Sequence, residues 1–420
     1  VIVIENALVL RAGGVESTNV VIDGGKVAIV GPVDRVNGAR VIDARGWWLG
    51  PGLVDLHVHL RDPGQTWKED LTTGARAAAA GGFTAVVAMP NTDPPIDTGS
   101  RAMAAISRAS AIDDVEISIA GTLTRGRGGD EMAELIDMYE AGVRLFSDDG
   151  DSVPGSGLLR RVMSCLADLP GAVAAEHSED PALSAGGQIN EGEMSALLGL
   201  PGLPGVAEDV IVARDIALAR DTGARLHVQH VSTKFSADLI RAAKASGMSV
   251  TAEVAPHHLR LDEGALSELD PNLKMYPPLR TAADRLALMA GLVDGSIDAV
   301  ATDHAPHTDG EKSVPFEEAP RGVIGLETAA AIAFDALRGD QASFFDRMSS
   351  APARIAGLSS HGSPVEPGAP ANLVLFDPNR RWTPQAFFSK SQNTPFLGME
   401  LVGKVMATIH EGRVSYEGDL

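Results

Sequence analysis

Cys165 is the only thiol in the 420 residues, so the chain can form no internal disulfide, and a reducing cytoplasm is the expected compartment. Lying between Met163 and Leu166, it reads as a small buried apolar residue rather than a nucleophile. Aromatic residues are scarce at 4%, which leaves little surface for stacking on nucleic-acid bases. Positive charge is also short: 35 Lys and Arg stand against 56 Asp and Glu, for a net charge of −21. That excess argues against non-specific contact with nucleic acid or anionic membranes. It also means that an anionic substrate would need a local island of positive charge. No apolar run approaches the roughly 18–20 residues that cross a bilayer. The opening Val1-Ile-Val-Ile-Glu reads as a strand, not as a basic targeting segment.

What is present is an ordinary globular balance, 44% hydrophobic and 22% charged, with 45 glycines. The middle of the chain repeats one theme, a short apolar run followed by a longer stretch with helical spacing. Strands are expected at 52–60, 83–89, 115–120, 143–147, 172–177, 225–231, 249–254 and 298–302. They are rich in Val, Ile and Ala without strict alternation, as suits parallel strands buried on both faces. Helices are expected at 71–80, 130–140, 207–222, 237–245 and 282–292, among others. Eight strands alternating with helices over about 250 residues is the arithmetic of a (β/α)8 TIM barrel, an α/β fold. A doubly wound sheet would also alternate, but its glycine fingerprint is missing after the first strand.

The two ends have another character. Short strands separated by Gly, Asp and Asn turns occur at 1–4, 19–22, 27–30 and 41–43, and again at 371–376, 405–410 and 413–416. Residues 1–50 and 366–420 are therefore expected to form one small β-sandwich domain from both termini, with 51–365 as the catalytic barrel.

The first central strand ends Asp55-Leu-His57-Val-His59-Leu-Arg61, and residues two apart on a strand point the same way. A His-x-His pair alone is weak. The weight comes from the other strand ends, which carry Asn91, Asp148-Asp149, His177, His230 and Asp303-His304 followed by His307. Of eleven histidines, nine fall between His57 and His307. Most sit at the C-terminal tip of an expected strand, where barrel active sites are built. Imidazole with carboxylate and no thiolate suits Zn, Mn, Fe or Co. Four histidines and two aspartates exceed the needs of one tetrahedral ion, and two ions sharing a hydroxide would use them all. Such a centre can activate water and polarise a carbonyl, which points to hydrolysis, or its reverse, at an amide-like carbon.

With these residues in place the chain resembles the amidohydrolase superfamily and, within it, the class I (bacterial-type) dihydroorotases. The resemblance rests on Asp55-Leu-His-Val-His-Leu-Arg-Asp-Pro-Gly64, Met89-Pro-Asn-Thr92, Phe146-Ser-Asp-Asp-Gly150, Asn190-Glu-Gly-Glu-Met-Ser195 and Ala301-Thr-Asp-His-Ala-Pro-His307. It implies reversible cyclisation of N-carbamoyl-L-aspartate to L-dihydroorotate in pyrimidine biosynthesis, through a metal-activated hydroxide. It further implies one or two Zn2+ ions, His57 and His59 holding the first and His177 and His230 the second. Asp149 would bridge them, and Asp303 would bind metal and shuttle the proton. Arg61, Asn91 and His307 would grip the substrate carboxylate, with His59, Tyr276, Arg321 and Gly322 also lining the substrate site. A homo-oligomer and a partnership with aspartate transcarbamoylase are the associations the resemblance suggests.

Three positions set the chain apart from relatives. Where many carry a carboxylated lysine on the fourth strand, this chain has Arg144, which leaves the bridge to Asp149, with Asp148 bracing the loop. Tyr276 stands where the family commonly has Asn, and Arg321 where it usually has Phe. His227 should face away from the metal, His257-His258 should hydrogen-bond within their loop, and His361 and His410 should carry no chemistry. The rival readings are a hydantoinase- or allantoinase-like cyclic-amide hydrolase, and a non-catalytic relative supporting aspartate transcarbamoylase. Loss of ligands marks such non-catalytic relatives, and here every expected ligand is present.

Overall fold

The computed structural model describes residues 1–11, 14–34 and 36–418; residues 12, 13, 35, 419 and 420, which fall within the expected terminal domain, lie outside the described residues. All eight central strands are found, shorter than expected at most ends. They are β1 (Leu53–Val58), β2 (Phe83–Ala88), β3 (Glu116–Ile119), β4 (Leu145–Phe146), β5 (Val173–Glu176), β6 (Leu226–Val228), β7 (Val250–Val254) and β8 (Ala299–Val300). Strands β1 to β3 form one parallel sheet and β4 to β8 another. Parallel bridges span both gaps: Gly121 pairs with Phe146 beyond β3, and Val58 pairs with His304 beyond β8. Asp55 reinforces the second gap, since its Oδ1 accepts from the backbone N–H of Thr302 at 3.0 Å.

Two apolar layers follow. Val54, Leu56, Ala85, Val87, Ala120, Leu145, Ala175, Ala299 and Ala301 make a compact inner cluster of mostly small side chains, capped by Ala353, Ile355, Ala356 and Leu358. A larger layer joins the strands to the helices and takes in Val58 and Leu60, which alternate with His57 and His59. Each fully buried aliphatic side chain contributes roughly 1.5–3 kcal/mol. Helix Leu71–Ala80 shows the local logic: Asp70 and Thr73 form a capping box at its start, and its alanine-rich face lies buried on this layer. The helix expected from residue 130 begins only at Leu135. Thr124 bridges Met132 and Arg125 N–H donates to Glu131 O, so this stretch is tied into a loop first.

Strands from both termini share one eight-stranded sheet. Strand Trp48–Pro51, not among the expected strands, joins the halves by pairing with Ile2–Arg11 on one side and Leu373–Trp382 on the other. Ile4, Ile22, Leu49, Leu375 and Ile409 belong to one core. The scarce aromatics concentrate where this sheet meets the central strands: Trp48 lies 5.4 Å from Phe334 and 5.7 Å from Phe376. Among the described residues no helix is long and apolar enough to cross a membrane.

Candidate metal centre and substrate cavity

The tips of β1, β4, β5, β6 and β8 converge on one point. Asp149 lies within ion-pair distance of all four expected histidines, with Oδ1 3.3 Å from His57 Nε2, 3.3 Å from His230 Nε2 and 3.6 Å from His177 Nδ1, and Oδ2 3.4 Å from His59 Nε2. Asp303 Oδ1 lies 3.0 Å from His59 Nε2 and 3.6 Å from His57 Nε2. All six groups are buried. Burial pushes the Asp149 carboxyl up, but the charge of His57 and hydrogen bonds from His177 and His230 outweigh it and hold the group well below the carboxylate range. Asp303 is held ionised in the same way: burial is opposed by its bond to His59 and the charge of His57.

The surroundings aim the imidazoles. His57 Nδ1 donates to Glu253 Oε1 at 2.8 Å, which turns Nε2 toward the cluster. His59 Nδ1 donates to Asn91 Oδ1 at 2.9 Å with the same effect. Three residues here hold positive φ without being glycine: Arg61 at 57°, His230 at 30° and Asp303 at 46°. Such conformations cost about 1–3 kcal/mol each and persist only where the surroundings over-determine them.

The donor set fits divalent metal. His57, His59 and Asp303 offer ligand atoms within 4.8 Å of one another, as do His57, Asp149 and His230. His57 Nε2 and His177 Nε2 are buried without a hydrogen-bond partner, and His177 Nδ1 sits only 2.9 Å from His230 Nε2. Imidazole nitrogens facing carboxylates with no thiol nearby form a site for borderline divalent ions. Both close-set triads use His57, and His177 stands at the edge of the group.

Asp148 turns away from the cluster: its carboxylate accepts from the N–H of Leu123 at 2.8 Å, the N–H of Thr124 at 3.1 Å and the Thr124 hydroxyl. Arg144 also points elsewhere, donating to the carbonyls of Tyr139 and Val143 and covering the Tyr139 ring. His258 donates to Pro277 O at 3.1 Å. His257 is neutral because burial holds it down at about 4. His361 lies between Thr84 and Glu116, and His410 bonds Asp113 O, both outside the cluster.

Next to the cluster lies a cavity of about 190 Å³, whose lining includes His59, Arg61, Asn91, Tyr276, His307, Arg321 and Gly322. Arg61 has no carboxylate at ion-pair distance among the described residues; its Nε donates weakly to Pro306 O at 3.4 Å. Burial lowers its pKa only to about 10, so it stays cationic. The ring nitrogens of His307 are engaged, Nε2 with Arg321 O at 2.9 Å and Nδ1 with Lys68 Nζ at 3.4 Å. Its pKa is pushed down to about 3, by burial first and then by the charge of Arg61. Gly322 holds φ at +126°, and a Cβ there would sit 2.7 Å from the Ala305 Cβ, so glycine is required for this close approach.

Several contributors had no motif. Glu253 joins the two rings, accepting from His57 with Oε1 and from His227 Nε2 with Oε2 at 3.0 Å. Burial would raise it, but these bonds from His227 and His57 hold it at about 2. The signal was an acid inside the apolar run of β7. Asn393, from the C-terminal segment, accepts from His307 N–H at 3.0 Å and donates to Ala305 O and Gly322 O at 3.1 Å. Nothing local marked that residue.

Among solved structures, the L-hydantoinase (dihydropyrimidinase) from Arthrobacter aurescens superposes with a TM-score of 0.87 at 26% identity, over 100% of this chain and 97% of the other. Fold and donor set together define the class, a metal-dependent cyclic amidohydrolase. A family model described as Dihydro-orotase-like matches residues 46–236. The dihydroorotase of Pelotomaculum thermopropionicum is 46% identical over 96% of this chain and 95% of its own length. That of Caldanaerobacter subterraneus subsp. tengcongensis is 44% identical over 99% and 97%. The chain belongs to the dihydroorotase family.

Proposed function

We propose that this chain is a dihydroorotase, interconverting N-carbamoyl-L-aspartate and L-dihydroorotate, on a centre of two Zn2+ ions. The observation that carries the reading is Asp149, within ion-pair distance of four buried histidines, lining a cavity that the Arg61 guanidinium also lines. His57 and His59 would hold one ion, His177 and His230 the other, with Asp149 between them and Asp303 beside the first. When bound, the metal supplies water activation near neutral pH and polarisation of the ring carbonyl.

The chain's own groups do the rest. Arg61 orients the substrate carboxylate through its planar fork of donors. Asn91 holds His59 with its Oδ1 and reaches the Asp149 backbone carbonyl with Nδ2 at 3.2 Å, so its amide orders the cluster as well as lining the cavity. Lys68 adds a cation behind His307 and is balanced by Glu311 at 2.9 Å. Asp303, ionised before substrate arrives, accepts the water proton on its carboxylate and returns it to the leaving ring nitrogen. In the synthetic direction the same carboxylate removes the proton from the carbamoyl nitrogen.

In this reading β1 to β8 form one closed (β/α)8 barrel, the bridges at Gly121–Phe146 and Val58–His304 completing the ring. Residues 1–50 and 366–420 form the β-sandwich domain, with the Asn393 segment reaching back to the barrel mouth. The test is hydrolysis of L-dihydroorotate by metal-reconstituted protein, with hydantoin and allantoin alongside. Turnover of dihydroorotate that chelation abolishes is the expected result. Clear turnover of another ring with none of dihydroorotate would remove the proposal.

A further inference from the structure

One wall of the cavity is built from neither metal ligands nor the Arg61 anchor. The Arg321 guanidinium lies 4.0 Å from the centre of the Tyr276 ring, and that ring lies 4.9 Å from His177. The Tyr276 hydroxyl donates to Glu179, and Arg321 Nη2 donates to Gly187 O at 2.5 Å. The base of the wall is fixed, because Arg321 O accepts from His307 Nε2 and Gly322 N–H donates to Lys274 O at 2.8 Å. On its far side lies a second cavity of about 410 Å³, and Gly150, His177, Tyr276 and Arg321 line both spaces. Tyr276 and Arg321, with the edge of His177, therefore stand between a small chamber and a larger one.

We propose that Tyr276 and Arg321 act as one specificity-determining partition, resting on the cyclic-amide reading above. Closed, the partition limits the reacting ring to a compact one, since the inner chamber of about 190 Å³ is smaller than common ligand pockets of roughly 300–1,000 Å³. Arg321 makes no ion pair among the described residues, although the nearby charge of Glu179 favours its cationic form, and it adds a second guanidinium to the lining that contains Arg61. A ring bearing a carboxylate gains from both cations; a ring bearing a bulky apolar group meets the wall. The two side chains work together because the tyrosine face is the platform on which the guanidinium rests.

The experiment is a double-mutant cycle of Arg321→Ala and Tyr276→Ala in the metal-loaded enzyme, with metal content and melting temperature recorded for each protein. L-dihydroorotate and a hydantoin carrying a benzyl substituent are the two substrates. Each single substitution should raise KM for dihydroorotate about tenfold with kcat little changed, and should raise kcat/KM for the benzyl-substituted ring. The double variant should lose about fivefold less than the product of the single losses. Additive losses, or an unchanged ratio between the two rings, overturn the partition. Should an alanine variant fail to fold, Arg321→Met and Tyr276→Leu keep the bulk, remove the charge and the π face, and carry the same cycle. A wild-type enzyme that ignores dihydroorotate overturns the reading on which this rests. The cycle is then run on the ring it does use, where additivity again rejects the partition and coupling supports it.

Discussion

The two sides of the cavity are held by different means. On one side, short side chains at strand tips are fixed through carboxylates: Asp149 faces four histidines, and Glu253 anchors His57 and His227 from behind. On the other side, the long side chains of Arg61, Tyr276 and Arg321 rest on backbone carbonyls, on a ring face and on Glu179. A change on the first side breaks several charge-assisted bonds at once, whereas a change on the second removes one platform and leaves the fold standing. In the proposed reading the chemistry belongs to the first side and the choice of ring to the second.

The largest effect is expected at Asp303. Asp303→Ala should lower kcat by on the order of 10²–10⁴ while elemental analysis still finds most of the metal; near-normal turnover would remove Asp303 as the proton carrier. Next is the adjacent pair of aspartates. Asp149→Asn should empty much of the metal site, whereas Asp148→Asn should leave metal in place and lower the melting temperature, because the Asp148 carboxylate is bonded to Leu123 and Thr124 rather than to the histidines. The opposite ranking would exchange their roles. A milder effect is expected at Glu253→Gln, roughly 10–100-fold weaker metal binding by competition with a chelator, since His57 loses the charge that orients it.

The smallest effect lies outside both sides. Glu327 Oε1 accepts from the N–H groups of Phe388 at 2.8 Å and Ser389 at 3.2 Å, and burial lifts the carboxyl from 4.5 to about 7. Between those values the folded chain keeps a proton that the unfolded chain has lost, so this group's contribution is fully present below pH 4.5 and is lost as pH rises through 7. Glu327→Gln should match the parent at pH 4 and exceed it at pH 8, by on the order of 1–3 kcal/mol in denaturant unfolding. A difference that shrinks with rising pH would contradict this.

Much of the first side was legible in the sequence. A histidine or aspartate at a strand tip carries its own signal, because strand periodicity and the barrel rule say where it points. That is how His57, His59, Asp149, His177, His230 and Asp303 were found together. What supports them was harder to read. Glu253 showed only as a misplaced acid, and Asn393 lies 86 residues from His307, whose backbone it holds. The contact between Tyr276 and Arg321 was hidden for the same reason: each departed from the family pattern alone, and no local rule brings a residue after one strand onto the face of another. Strand Trp48–Pro51, which is not among the expected strands, owes its form to pairing with Leu373–Trp382 rather than to any local pattern.

If, as proposed, a carboxylate-selecting side faces a metal-holding side, two rings that differ only in that carboxylate should be told apart. The measurement is kcat/KM for L-dihydroorotate and for dihydrouracil on the same metal-loaded protein. Two guanidinium groups in the lining predict a preference for dihydroorotate of at least about 100-fold. Equal use of the two rings, or a preference for dihydrouracil, would rule out carboxylate selection by this side of the cavity.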